Sequence, residues 1–205
     1  MEDMASKGSI DRGGASAAEP VAEETLLRLY ANGDAEAARE LVGLLGPRAY
    51  SVALRVLGNR AEAEDVTQEA MLRLWRIAPE WQSGRAKVST WLYRVVMNLC
   101  LDLRRRTQTL DLDGIPEPED GSPAAMEQLL HVARVDALQD ALMRLPVRQR
   151  QAVVLRHIEE LSNPEIAGIM EIGVEAVESL TARGKRTLAA VLADRKDELG
   201  YQDGG

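Results

Sequence analysis

Residues 107–123, TQTLDLDGIPEPEDGSP, hold three prolines, two glycines and no basic residue. Proline removes a backbone donor and biases the residue before it toward extended geometry, so regular structure does not run through such a stretch. Like charges extend it further. The chain is therefore expected to fold as two bodies joined by a flexible acidic linker at residues 107–124.

Both flanks carry helical periodicity. Ala, Leu, Glu and Arg dominate and β-branched runs are few, which favours helix. Phe is absent and aromatic content is 3%, so Leu, Val, Ala and Ile must fill the interior. The expected class is all-α. In the first body the pattern predicts helices over 23–31, 35–45, 47–57, 61–76 and 89–106, with breaks at Asn32-Gly33 and Gly58-Asn59. In the second it predicts helices over 125–144, 147–159, 164–170 and 174–194. Residues 1–20, rich in Gly, Ala, Ser and Asp without periodicity, and residues 196–205 read as tails. The two bodies then span 21–106 and 125–195.

STWLYRVVMNLCLDLRRR (Ser89–Arg106) places Leu92, Val96, Leu99 and Leu103 on one side of a helix, with Val95 and Cys100 at its margins. Arg94, Asn98, Leu101 and Arg105 lie roughly opposite, with Trp91 at the edge. Arginines at a helix C-terminus suit the dipole. They also suit phosphates, and flat rings suit unstacked bases. Local charge favours the second use. Residues 71–106 contain eight basic residues against two acidic, within a chain of net charge −8. A basic island flanked by acid points to a local polyanion site.

LSNPEIAGIMEIGVEAVESLTARGKRTLAAVL (161–192) reads as a short helix, a tight turn and a longer helix. Ser162 with Glu165 forms a capping box, and Pro164 is tolerated in a first helical turn. Ile166, Ile169 and Met170 form the buried face of the short helix. Ile172 fills the corner and Gly173 serves the break. Val177, Leu180, Leu188 and Val191 mark the apolar side of the longer helix. This is helix-turn-helix spacing, whose second helix enters a major groove.

Other chemistries have little footing. There is no Gly-rich phosphate loop, no G-x-S-x-G nucleophile signature and no metal-ligand spacing. The single cysteine excludes an internal disulfide, and His131 and His157 stand far apart. No cofactor, metal or catalytic residue is expected. No stretch reads as a signal-peptide core or a membrane span, so membrane insertion is not expected and the default location is cytoplasmic.

Two segments taken together resemble one family, the extracytoplasmic-function group of bacterial RNA polymerase sigma factors. AEAEDVTQEAMLRLWR (61–76) resembles its region 2.2, and Ser89–Arg106 its regions 2.3 and 2.4. LPVRQRQAVVLRHIEELSNPEIAGIM (145–170) with GVEAVESLTARGKRTL (173–188) resembles region 4. The pairing of D-x-x-Q-E-A with T-W-L-Y-R is the specific signal.

The resemblance implies jobs for these elements. Asp65, Gln68, Glu69, Leu72, Trp75 and Arg76 would dock on the β′ clamp helices of core RNA polymerase, while region 4 would meet the β flap. Gln82, Ser83, Arg85, Lys87, Trp91, Arg94, Asn98, Arg104 and Arg105 would open and hold the −10 promoter element. Ser162, Glu178, Ser179, Ala182, Arg183, Lys185 and Arg186 would face the −35 duplex. An anti-sigma factor would hold the free protein. The recognition helix departs from a common form: Glu178 and Leu180 stand where basic residues are usual, which implies an unusual −35 preference or weaker binding. Two other readings stay open on sequence alone, a partner-sequestering interaction protein and a helix-turn-helix regulator without sigma activity.

Overall fold

The structure, a computed structural model, describes residues 23–84, 86–110 and 126–193; within these, the side chains of residues 107–132 are not described. The expected tails lie outside the described residues, as does the expected linker beyond its first four positions. The described residues form eight α-helices and one short 3-10 turn. They are α1 (Glu23–Ala31), α2 (Ala35–Leu57), α3 (Arg60–Ile77), the 3-10 turn (Ala78–Glu80), α4 (Val88–Leu110), α5 (Met126–Met143), α6 (Val147–His157), α7 (Asn163–Met170) and α8 (Val174–Ala193).

The helix boundaries follow from local chemistry. Asp34 accepts from the amides of Glu36 and Ala37, at 2.8 and 3.2 Å, and starts α2. Gly58, at φ +74°, stops it. Asn59 then accepts from the Glu62 amide at 3.0 Å and starts α3. Side-chain acceptors of this kind satisfy donors that a helix start leaves orphaned.

Three expectations are corrected. The sequence predicts separate helices over 35–45 and 47–57, yet α2 runs unbroken with Pro47 inside it. An interior proline costs about 3 kcal/mol. Leu41, Leu45, Ala49 and Val52 lie buried on both sides of it, and each large apolar side chain buried stabilises by roughly 1.5–3 kcal/mol. Packing outweighs the lost hydrogen bond. The second correction concerns α4, which continues to Leu110, four residues past the predicted end and short of the first proline.

The core side of α4 is also turned from the predicted stripe. Val88, Leu92, Tyr93, Val96, Met97 and Cys100 are buried, while Leu99 and Leu103 are only partly so. The cause is a second packing surface. Helices α1 to α4 form one bundle and α5 to α8 another, but the two share a single apolar core. Helix α6 is buried along six consecutive residues, Arg150–Leu155, because it lies between α8 on one side and α2 on the other.

Polar side chains from the second bundle stitch that seam to backbone carbonyls of the first. Gln151, 1% exposed, donates to the Met97 carbonyl at 2.9 Å. Arg150, 6% exposed, donates to the carbonyls of Val56, Met143 and Leu145. Burial, and then the charge of Arg104, bring its guanidinium down to about 10, which leaves it charged at neutral pH. Gln139 donates to the Leu54 carbonyl at 3.2 Å. Gly58 serves both bundles: a Cβ there would lie 2.6 Å from the Met143 sulfur.

Candidate nucleic-acid and polymerase interfaces

Helix α3 buries Ala63, Val66, Ala70, Met71 and Leu74. The residues expected to bind polymerase lie on its other side. Asp65, Gln68 and Arg76 are exposed, and Leu72 is 49% exposed despite being apolar. Glu69 pairs with Arg73 at 2.8 Å, one turn on. That Arg73 hydrogen bond holds the Glu69 carboxyl below its usual range. Trp75 is half-buried, its ring tilted on Tyr30 of α1 with centroids 4.4 Å apart. An exposed leucine beside a braced tryptophan and charged residues is the anatomy of a small binding hot spot.

The residues expected at the −10 element lie on α4 and the loop before it, and they divide into two groups. Gln82, Ser83 and Asn98 are exposed, and Trp91 is half-exposed, its ring edge-on to Trp81 with centroids 6.2 Å apart. Arg105, also exposed, lies 3.9 Å from Asp102. The others are engaged by protein. Arg94 donates to the Gly168 carbonyl of α7 at 2.9 Å. Lys87 lies 3.7 Å from Glu165, also on α7. Arg104 donates to the Leu57 carbonyl at the end of α2. Arg85 lies outside the described residues.

Tyr93 and Cys100 are structural. The Tyr93 hydroxyl donates to Glu159, and burial followed by that bond raises its pKa well above the usual phenol. Burial pushes the Cys100 thiol up to about 12, so it stays protonated and poorly nucleophilic.

The helix-turn-helix is present. The Ser162 hydroxyl accepts from the Glu165 amide at 3.4 Å, and Glu165 accepts from the Ser162 amide at 2.9 Å, which closes the capping box. Ser162 is thus a cap, with its hydroxyl directed to Glu165. The left-handed turn residue is Glu171, at φ +55°; Gly173 starts α8, its carbonyl accepting from Ala176 at 3.0 Å.

Helix α8 buries Val177 and Gly184, with Leu180 and Leu188 partly covered. Gly184 carries no signal in the sequence. A Cβ there would lie 2.5 Å from a Val153 methyl, so it lets α8 cross α6 closely. Glu178, Ser179, Ala182, Arg183, Lys185 and Arg186 are all exposed. Glu178 accepts from Asn163 at 3.3 Å, and Arg183 donates to the Ser179 carbonyl at 3.2 Å. Among the described residues, no three His, Cys, Asp or Glu side chains converge as a metal site would require, and no helix is long and apolar enough to cross a membrane.

Comparison with known proteins agrees with this geometry. Sigma-70 region 2 matches residues 41–109, and Sigma-70 region 4 matches 135–188. The ECF RNA polymerase sigma factor SigE of Mycolicibacterium smegmatis is 39% identical over 78% of this chain. The chain spans 63% of that relative's length. SigW of Bacillus subtilis, also an ECF RNA polymerase sigma factor, is 32% identical over 79% of this chain and 92% of its own. Among solved structures, CnrH in complex with the cytosolic domain of CnrY superposes with a TM-score of 0.62 at 26% identity, covering 84% of this chain and 98% of CnrH. The chain belongs to the extracytoplasmic-function group of the sigma-70 family.

Proposed function

We propose that this chain acts in the cytoplasm as a sigma factor through four surfaces. The α3 face around Leu72 and Trp75 docks on the β′ clamp helices, and the second bundle meets the β flap. The loop after the 3-10 turn and the outer side of α4 take the unpaired −10 strand, with Trp91 as a stacking platform. Exposed α8 residues enter the −35 major groove. The chain carries no reaction of its own; polymerase supplies the catalysis. The observation that supports this reading best is the coexistence, in the family's order, of an exposed α3 face and an exposed α8 face on helices pinned by their buried sides.

The seam between the bundles favours a closed resting form. Arg94 and Lys87 are both engaged by α7, so the −10 surface is complete only after α7 withdraws. CnrH, a relative of like fold, is seen bound to the cytosolic domain of another protein. This supports an anti-sigma factor as the agent that holds the free chain.

Transcription from a set of promoter fragments with purified core polymerase tests the reading. Start-site-specific transcripts should appear only when this chain is added. Their absence, with core binding intact, would leave a sequestering protein as the better account.

A further inference from the structure

The loop between the 3-10 turn and α4 has no regular structure, yet its donors converge on two adjacent carboxylates of α1. Glu24 accepts from the Trp81 indole N–H at 3.3 Å and from the Gly84 amide at 3.0 Å. Glu23 accepts from the Ser89 amide, in the first turn of α4, at 2.8 Å. Its other oxygen lies 4.0 Å from Arg48 on α2. Both ends of the loop are therefore tied to one helix that lies 57 to 66 residues earlier in the chain.

The geometry suits bracing better than ligand contact. Glu24 is an anion, so it repels a phosphate instead of binding one. Its oxygens are engaged by the loop: the Ser83 hydroxyl first, then the Gly84 amide and the Trp81 indole, hold its carboxyl below the usual range against a partial desolvation penalty. Hydrogen bonds to an ionised acceptor are stronger than neutral ones. Gly84 sits at φ +80° with nothing near its missing Cβ, so the loop's shape is set by these bonds and not by steric confinement. The tie passes directly to the reading surface, because the Trp81 ring meets Trp91 edge-on at an interplanar angle of 86°.

We propose that Glu24 is a positioning residue for −10 recognition: by fixing Trp81 and Gly84 it sets where Gln82, Ser83 and Trp91 stand when a flipped base arrives. This rests on the assignment of the loop and α4 to the −10 strand. A reading site whose supporting groups are fixed in advance loses less freedom on binding, and small displacements erode base discrimination first.

The test is selection by reconstituted holoenzyme from single-stranded DNA randomised over a six-nucleotide window, read as the preference ratio of best to second-best base at each position. Glu24→Ala should lower that ratio about 5- to 10-fold, as expected for one lost charge-assisted bond network, with core affinity unchanged. Glu24→Gln should restore most of it, since the amide oxygen still accepts from both N–H donors. Trp81→Phe keeps an aromatic ring, though a smaller one, and deletes one donor, and should give a smaller loss in the same direction. It also serves as the readout if Glu24→Ala does not fold. Trp91→Ala is run beside them. If it abolishes preference while Glu24→Ala, or the Trp81→Phe stand-in, leaves it intact, the positioning role alone is overturned. If Trp91→Ala changes nothing, the −10 assignment falls and the proposal with it.

Discussion

Helices α3 and α4 lie side by side in one bundle, yet the faces proposed for polymerase and for DNA differ in how far the second bundle engages them. The α3 face is open: Leu72 is half-exposed, and Gln68 and Arg76 are exposed. The α4 face is partly closed by α7, which engages Arg94 on α4 and Lys87 in the loop before it. On the proposed assignment of these faces, a chain built this way would meet polymerase before it meets DNA. The order of events follows from which surface is already available, with no sensor domain required.

The largest expected effect breaks the open side. Leu72→Glu should weaken core polymerase binding by about 30-fold, the scale of losing a central hot-spot residue, while the thermal midpoint stays put because the side chain is exposed. Equal affinity of mutant and wild type in a competition assay would move the interface off α3.

The next effect sharpens the role of α8. Glu178→Arg should strengthen binding to generic duplex DNA about tenfold and steepen its salt dependence by about one phosphate contact. It should also relax preference at one −35 position, where a correct base contact is worth about 1–3 kcal/mol. Arg183→Ala should weaken −35 binding and flatten the slope. A salt titration over −35 variants measures all of this; no change in affinity, slope or preference for Glu178→Arg would mean that α8 faces elsewhere.

A smaller effect loosens the closed side. Tyr93→Phe deletes the bond to Glu159 across the seam. One buried hydrogen bond is worth about 1 kcal/mol, so the open population should rise about fivefold, read by energy transfer between dyes placed on α3 and α8. An unchanged distance distribution would show that this bond does not hold the bundles together.

The smallest effect is that of pH. The Ser162 hydroxyl and then its amide hold the Glu165 carboxyl below the usual value of 4.5, with Lys87 adding to this. A depressed carboxyl stabilises the folded form above the unfolded pKa, and that contribution is lost as pH falls through the lower folded value. Acidification below about pH 4.5 should therefore weaken both the α7 cap and its tie to α4, and Glu165→Gln should blunt the response. A seam equally tight at pH 5 and pH 3 would remove Glu165 from the closing contacts.

The sequence disclosed what is written in short-range chemistry. The Ser162–Glu165 capping box, the break at Gly58-Asn59 and the exposed side of α3 follow from spacing alone. Pro47 misled because a local cost was outweighed by distant packing that no window of sequence contains. The predicted α4 stripe departs from the buried side for a related reason: Tyr93 and Met97 lie outside that stripe and are buried where the second bundle covers them. The seam itself is made largely of side chains donating to backbone carbonyls, as Gln151 does to Met97. A carbonyl has no identity in a sequence, so such pairs leave no complementary pattern to find. Glu24 is hidden for another reason: its partners, the Ser83 hydroxyl, the Trp81 indole and the Gly84 amide, lie 57 to 60 residues further along the chain.

The shared core carries a thermodynamic consequence. If the bundles part, the surfaces around Met97 and Gly58 meet water together with the Arg150 guanidinium, which then loses its bond to the Val56 carbonyl. Re-hydration of that charge offsets part of the loss, whereas the apolar area has no such compensation. An opened chain alone in solution is therefore a sticky, short-lived species. Because the α3 face is exposed with the bundles closed, polymerase docking there would not by itself open the chain; only contacts made better in the opened form would shift the population.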